Sequence, residues 1–355
     1  MFLVYPFDTL LYFLDEIFFS GYKNVEVKPF FVLGQPRSGT TKFESLLEGD
    51  EDMLCMKIYE IRFPYLSAQY TIDAIWHVDQ KFLGGAIERF LRDYKLIDCF
   101  DEKVTPERHT MRRIKYDLSD EDDSIFLFHF LVHFQLTGVF PDPKLIELFH
   151  HFEQLSAYER NRMIQFHKKA VQKLLYRRGV NKRYFAKWVA AWTGELEEAL
   201  KIYKDAKLVV FVRNTEDQIK SWFKLQSLLT CELSGINSFK IPSVLEQVKK
   251  DNKFWYESEI KLINSLDTSQ VKLVPFDAFY SDIQQWTRDI YSFLNKEIKE
   301  GSKFDNFLKQ ETVKQLSHKA TITDNQYITK QDIDSFPNLS QVLNPKKSED
   351  QKKTQ

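Results

Sequence analysis

The sequence predicts an α/β fold: three layers, with a central, mostly parallel sheet flanked by helices. Three observations carry this. Short, nearly continuous apolar runs recur at Lys28–Gly34, Tyr184–Ala190, Lys207–Arg213 and Val271–Phe276, as strands buried on both faces require. Segments with helical spacing separate all of them, which calls for crossover connections and therefore parallel pairing. The first run ends in a glycine-containing turn, Gly34 to Thr41, of the kind that leads from a strand into a helix.

Composition narrows the function classes. A chain of 355 residues can bury a large core, as one large domain or two small ones. Its 15% aromatic content excludes a chain that is disordered throughout. Lys and Arg number 50 against 51 Asp and Glu, so a global nucleic-acid footprint is not expected. Three cysteines, Cys55, Cys99 and Cys231, stand far apart without a CxxC pair, which suits reduced thiols rather than a disulfide framework.

The elements follow in order. Residues 1–27 are expected to form an amphipathic helix that packs on the body, 28–320 the main domain, and 321–355 an extension disordered towards its end. The first twenty residues are apolar but lack a basic leader and are interrupted by Asp8, Asp15 and Glu16. They read as neither signal peptide nor span, so a cytoplasmic location is expected, with peripheral membrane contact by the first helix as a second reading. Phe30, Phe31, Val32 and Leu33 build the first strand, and Phe43, Leu46 and Leu47 face inward on the helix after it. Cys55 to Lys115 is mixed and partly helical, with loops near Pro64 and Pro106. Ser119-Asp120-Glu121-Asp122 fits an N-cap for an apolar helix within Ser124–Phe140. Leu145 to Leu155 has helical spacing. Ser156 and Glu159 form a capping box that opens a helix towards Arg178. Asn344 to Gln355 lacks apolar anchors and is expected to fray.

The sharpest motif is Gly34-Gln35-Pro36-Arg37-Ser38-Gly39-Thr40-Thr41. A loop between strand and helix aims backbone N–H groups and a helix N-terminus at an anion, which makes it a phosphate cradle. Gly39 permits the tight curl, and Thr40 and Thr41 add hydroxyls at the helix start. A Walker A loop requires Lys after the second glycine; here Thr40 stands there and the cation is Arg37, inside the loop. An ordinary ATP or GTP site is therefore not the reading.

Pro36-Arg37-Ser38-Gly39-Thr40-Thr41 after an apolar strand resembles the 5′-phosphosulfate-binding loop of the sulfotransferases that use PAPS (3′-phosphoadenosine 5′-phosphosulfate). Its Arg form is similar to the carbohydrate, tyrosyl-protein and bacterial-type branches. The resemblance implies a P-loop fold, PAPS as co-substrate with PAP as product, and no metal. The acceptor it implies is a small molecule, lipid or carbohydrate bearing a hydroxyl or amine, with no nucleic-acid partner. It also implies a second anion site for the 3′-phosphate: an Arg leaving a later strand and a Ser eight residues on. Arg213 and Ser221 match this, with Asn214 as the helix cap, although Thr215 stands where the family usually has Pro. Tyr184-Phe185-Ala186-Lys187 resembles the strand that delivers a Lys to the reacting centre. Fainter likenesses are Tyr59-Glu60, Arg108-His109, Glu121-Asp122-Asp123, and Ser317-His318-Lys319, which lacks the family's following Tyr.

Sulfuryl transfer needs positioning, cations at the charge that builds on the leaving group, and a base for the acceptor's proton. Arg37 is the expected cation at the 5′ end and Lys187 the one at the transferring group. One branch of the family carries a His two residues after the Lys; Val189 holds that place here. Glu60, flanked by Ile58, Tyr59 and Ile61, and His109 in a basic stretch are the two candidates for the base. Two other readings stay open: a kinase-like enzyme using ATP and Mg²⁺, and a non-catalytic protein that binds PAP or another nucleotide. His129 and His133 have metal-ligand spacing on a helix, but their apolar surroundings read as core. The PAPS reading predicts Arg37 and Arg213 on one edge of one sheet, with Ser221 near Arg213.

Overall fold

A computed structural model describes residues 4–94, 121–122, 124–130, 140–150, 152–189, 193–315 and 326–343. Five strands make one sheet: β1 (Phe30–Gly34), β2 (Met53–Leu54), β3 (Arg183–Val189), β4 (Lys207–Val212) and β5 (Val271–Pro275), in the order β2-β3-β1-β4-β5. Every pairing is parallel, so the sheet is all-parallel. β1 lies at the centre, with Gly34 opposite Val189 of β3 and Phe211 of β4. The strand order reverses direction there, so the loops after β1 and β4 diverge at a switch point, the place where open α/β sheets bind ligands.

The helices are α1 (Val4–Phe18), α2 (Thr40–Leu47), α3 (Ile58–Arg62), α4 (Leu66–Phe82) and α5 (Ala86–Asp93), then α6 (Ser124–Phe130), α7 (Pro143–His150) and α8 (Ala157–Arg178). After β3 come α9 (Thr193–Ile202), α10 (Thr215–Ser234), α11 (Pro242–Ser265), α12 (Phe276–Ser281), α13 (Ile283–Phe293), α14 (Lys303–Gln315) and α15 (Lys330–Asp334). Alternate residues of each strand face opposite layers. Phe31, Leu33, Ala186, Trp188, Leu208 and Val210 pack with residues of α8 to α11. Phe30, Val32, Phe185, Val209 and Phe211 pack with α2 and α12 to α14. Both faces are covered, which is why the strands read as unbroken apolar runs.

Two of the capping signals, at Ser156 and Asn214, are realised. Ser156 Oγ accepts from the Glu159 N–H at 3.2 Å while Glu159 Oε2 accepts from the Ser156 N–H at 2.9 Å. Asn214 Oδ1 accepts from the Asp217 N–H at 3.2 Å and starts α10. Thr215, the departure from the family pattern, has a use of its own: its Oγ1 accepts from the Leu339 N–H at 3.3 Å. That bond ties the 326–343 segment to the body, where Ile328, Ile333, Phe336, Leu339 and Val342 join the core.

The first helix, Val4–Phe18, packs on the body with most of its large apolar residues outside. Leu11 is buried, but Phe7, Leu10, Phe13, Ile17 and Phe18 are exposed. Its inward face is mixed: Leu11 packs on Tyr65 and Ala68, and polar contacts surround it. Buried Asp15 accepts from the Leu66 and Ser67 N–H groups at 2.8 Å and pairs with buried Lys173 of α8 at 2.9 Å. Lys169 Nζ donates to Tyr12 Oη at 2.7 Å. Because α8 presents two lysines to α1, the charged face has to turn inward to meet them.

Among the described residues no helix is long and apolar enough to cross a membrane. Cys55 is buried, Cys231 is exposed, and both are free. Cys99, His109, Ser119, Asp120, His133, Ser317 to Lys319 and the tail from Asn344 lie outside the described residues.

Candidate active site

Two glycines give the loop after β1 its path. A Cβ on Gly34 would stand 2.3 Å from Ser38 Oγ and 3.0 Å from the Phe211 carbonyl. Gly39 has φ 97° and caps α2, and a Cβ there would meet Phe276 Cδ2 at 3.0 Å. Arg37 also has a positive φ, 73°, a costly conformation for a residue with a side chain.

Side chains from the β4–α10 segment hold that strained backbone. Arg213 Nη1 donates to the Arg37 carbonyl at 2.9 Å, and Gln218 Nε2 donates to the Pro36 carbonyl. Tyr256 Oη donates to Gln218 Oε1 and fixes the amide. Gln35 Nε2 donates to Glu259 Oε2 of α11 at 2.8 Å. The Ser38 N–H donates to the Gln35 carbonyl at 3.0 Å, and the first turn of α2 keeps N–H groups that could meet an anion, since first-turn donors have no intrahelical acceptor.

Arg37 Nε donates to Ser221 Oγ at 3.1 Å, so both guanidiniums and the α10 serine form one cluster at the carboxyl edge of the sheet. Burial and the adjacent Arg213 charge push the Arg37 guanidinium below its ordinary pKa, against the pull of Tyr280. Arg213 lies 4.4 Å from the centroid of the Phe276 ring. Among the described residues neither guanidinium has a carboxylate partner. Ser38 Oγ is buried without a hydrogen-bond partner, a cost that a bound oxyanion would remove.

Lys187 stands on β3 beside this cradle. Its Nζ donates to Thr41 Oγ1 at 3.1 Å and lies 2.9 Å from Glu121 Oε1 and 3.4 Å from Glu44 Oε2. The Asp122 N–H donates to the Lys187 carbonyl at 3.2 Å. Below it, the Asp122 carboxylate accepts from Tyr184 Oη and lies 3.1 Å from His167 Nε2, whose Nδ1 is 3.3 Å from Tyr203 Oη. Burial pushes the Asp122 carboxyl above its ordinary value, and His167 and Tyr184 oppose that shift.

The structure thus gathers Gly34, Pro36, Arg37, Ser38, Gly39, Thr40, Thr41, Lys187, Arg213 and Ser221 at one edge. Glu60 is different. It is buried, but as an ion pair rather than in an apolar setting: Arg177 and Arg178 hold its two oxygens at 3.0 and 3.1 Å. The Lys57 N–H adds a third bond at 2.8 Å, and none of these partners belongs to the cradle. His129 packs with Nε2 3.2 Å from the Ile61 carbonyl, its pKa pushed down to about 4 by burial. Among the described residues no group of three or more His, Cys, Asp or Glu is placed to hold a metal ion.

Sequence reasoning missed Gln218, Glu259, Phe276 and the contact of Glu121 with Lys187. Gln218 had a readable signal, because Asn214, Gln218 and Ser221 share one helical face by their spacing. Glu259 had none, since nothing in its surroundings on α11 distinguishes it from a solvated charge.

Residues 29–300 match the family described as the sulfotransferase family. No curated protein sequence matches the chain. Among solved structures, the sulfotransferase STF9 from Mycobacterium avium is similar with a TM-score of 0.67 at 14% identity, over 95% of this chain and 80% of that one. The sulfotransferase STF1 from Mycobacterium tuberculosis is similar with a TM-score of 0.59 at 14% identity, over 95% of this chain and 81% of that one. At such identity the likeness is one of fold.

Proposed function

The chain belongs to the sulfotransferase family, and from that premise we propose that it takes PAPS as donor, held between the Gly34–Thr41 loop and the Arg213–Ser221 pair. One observation carries this reading. Two guanidiniums, without carboxylate partners among the described residues, converge at the switch point of the sheet beside a buried hydroxyl that has no partner. Like charges held together in a half-buried site call for an anion with more than one charged group. PAPS, when bound, supplies an activated sulfuryl group on its 5′-phosphate and a second charge at its 3′-phosphate.

The roles of the chain's residues follow. Arg37, Ser38 and the N–H groups of Gly39, Thr40 and Thr41 hold the 5′ end. Arg213 and Ser221 hold the 3′-phosphate. Lys187, fixed by Thr41, sits where charge would build on the bridging oxygen as the sulfuryl group leaves. The acceptor is a hydroxyl- or amine-bearing small molecule, lipid or carbohydrate. The outward apolar face of α1, with Phe7, Leu10, Phe13, Ile17 and Phe18 exposed while Asp15 is paired inward, supports peripheral membrane contact.

The test is a thermal-shift titration with PAP, run beside one with ATP and Mg²⁺. PAP at ~100 times its Kd is expected to add about 2.7 kcal/mol of stability, and Arg37→Ala and Arg213→Ala are each expected to abolish that shift. A response to ATP with Mg²⁺ alone would replace this reading with the kinase-like one.

A further inference from the structure

The Lys187 contacts bear on a role left vacant by Val189: the group that takes the acceptor's proton. Two carboxylates meet the Lys187 ammonium, and burial separates them. The Glu44 side chain is 2% exposed, beneath the cradle, whereas that of Glu121 is 21% exposed. Only the second can touch both Lys187 and a molecule arriving from solvent. Glu60, by contrast, spends both oxygens on Arg177 and Arg178.

The position of Glu121 is built rather than incidental. Its neighbour Asp122 is locked from two sides: the backbone N–H bonds the Lys187 carbonyl, and the carboxylate is held by Tyr184 and His167 in the core. Tyr184 and Lys187 belong to the same strand, so one element anchors the peptide that carries Glu121 and also supplies the lysine it faces. A reacting carboxylate needs such support from packed and hydrogen-bonded neighbours.

We propose that Glu121 is the proton acceptor for the incoming hydroxyl or amine, a role that rests on the PAPS reading of the neighbouring cradle. The acceptor's O–H or N–H proton passes to a Glu121 carboxylate oxygen as the acceptor's lone pair forms a bond to sulfur. The bond from sulfur to the bridging oxygen of PAPS breaks, and its electron pair stays on the phosphate of PAP. The proton then leaves Glu121 for solvent. Lys187 serves both partners: it pairs with Glu121 at 2.9 Å and faces the oxygen on which negative charge gathers.

The test compares wild type, Glu121→Gln and Glu121→Asp by calorimetric binding of PAP and by release of PAP from PAPS, with water as the acceptor. Glu121→Gln is expected to bind PAP within about threefold of wild type, to lose roughly 100-fold or more in turnover, and to lose the acidic limb of the pH–rate profile. Glu121→Asp, which keeps the carboxylate, is expected to retain that limb at a reduced rate. Equal turnover in wild type and Glu121→Gln would overturn the assignment. So would a loss of turnover that merely follows a loss of PAP affinity, or a wild type that binds PAP and never releases it from PAPS. Absence of PAP binding by wild type is a separate result and would overturn the reading of the cradle itself.

Discussion

Arg37 occupies a backbone conformation that costs a non-glycine residue on the order of 1–3 kcal/mol, and three side chains from α10, α11 and the end of β4 hold the loop there. Substituting Arg37 or Lys187 with Ala is expected to raise the transfer barrier by about 2–4 kcal/mol if each acts on developing charge, measured as PAP release from PAPS. Gly39→Ala tests the backbone alone. Its φ of 97° and the 3.0 Å approach of Phe276 predict lost PAP affinity and roughly 1–2 kcal/mol of lost stability, read by titration and urea unfolding. Glu259 adds a pH dependence. Burial pushes its carboxyl up to about 8 against the pull of the Gln35 hydrogen bond. The folded state therefore binds this proton more tightly than the unfolded chain. That stabilisation is complete below the ordinary carboxylate value and is lost as pH rises through about 8. Glu259→Gln is expected to flatten the fall in Tm between about pH 5 and about pH 9, and an unchanged slope would show that other groups set it.

At the scale of elements, α1 is held by a buried ion pair beside a small apolar contact of Leu11 with Tyr65 and Ala68. Burial pushes the Lys173 ammonium down from its ordinary value, and buried Asp15 pulls it back. Removing one partner leaves the other charged and dry, so Asp15→Ala is expected to cost about 3–5 kcal/mol, while Phe13→Ala on the exposed face is expected to cost under about 0.5 kcal/mol. Urea unfolding of the two variants checks this. A small effect at Asp15 would mean that α1 docks by other contacts. The sequence led to the expectation of an amphipathic helix within residues 1–27 but did not tell which face turns inward, because that depends on the lysines of α8, far along the chain. The strands were legible for the opposite reason. Runs such as Leu208 to Val212 are buried on both faces, so their pattern does not depend on the identity of the partner. β2, with only Met53 and Leu54, is too short to carry a pattern and exists through its pairing with β3.

For the whole molecule, the all-parallel order β2-β3-β1-β4-β5 sends the chain from the end of β1 to either side and brings loops 176 residues apart into one hydrogen bond. That is why two weak motifs make one site. The expectation that Arg37 and Arg213 share an edge follows from right-handed crossovers between parallel strands, and the structure places Ser221 against Arg37 itself. The sequence alone determined the layer architecture, the strand–loop–helix turn after β1 and the Arg213–Ser221 spacing, because each rests on local patterning within about ten residues. Only the tertiary structure decided the partners of each charge: that Glu60 is tied up by Arg177 and Arg178, that Glu121 faces Lys187, and that Asp15 of α1 points inward to Lys173. Those pairings join segments remote in sequence, and the free energy of a buried charge depends on what packs against it rather than on its neighbours along the chain.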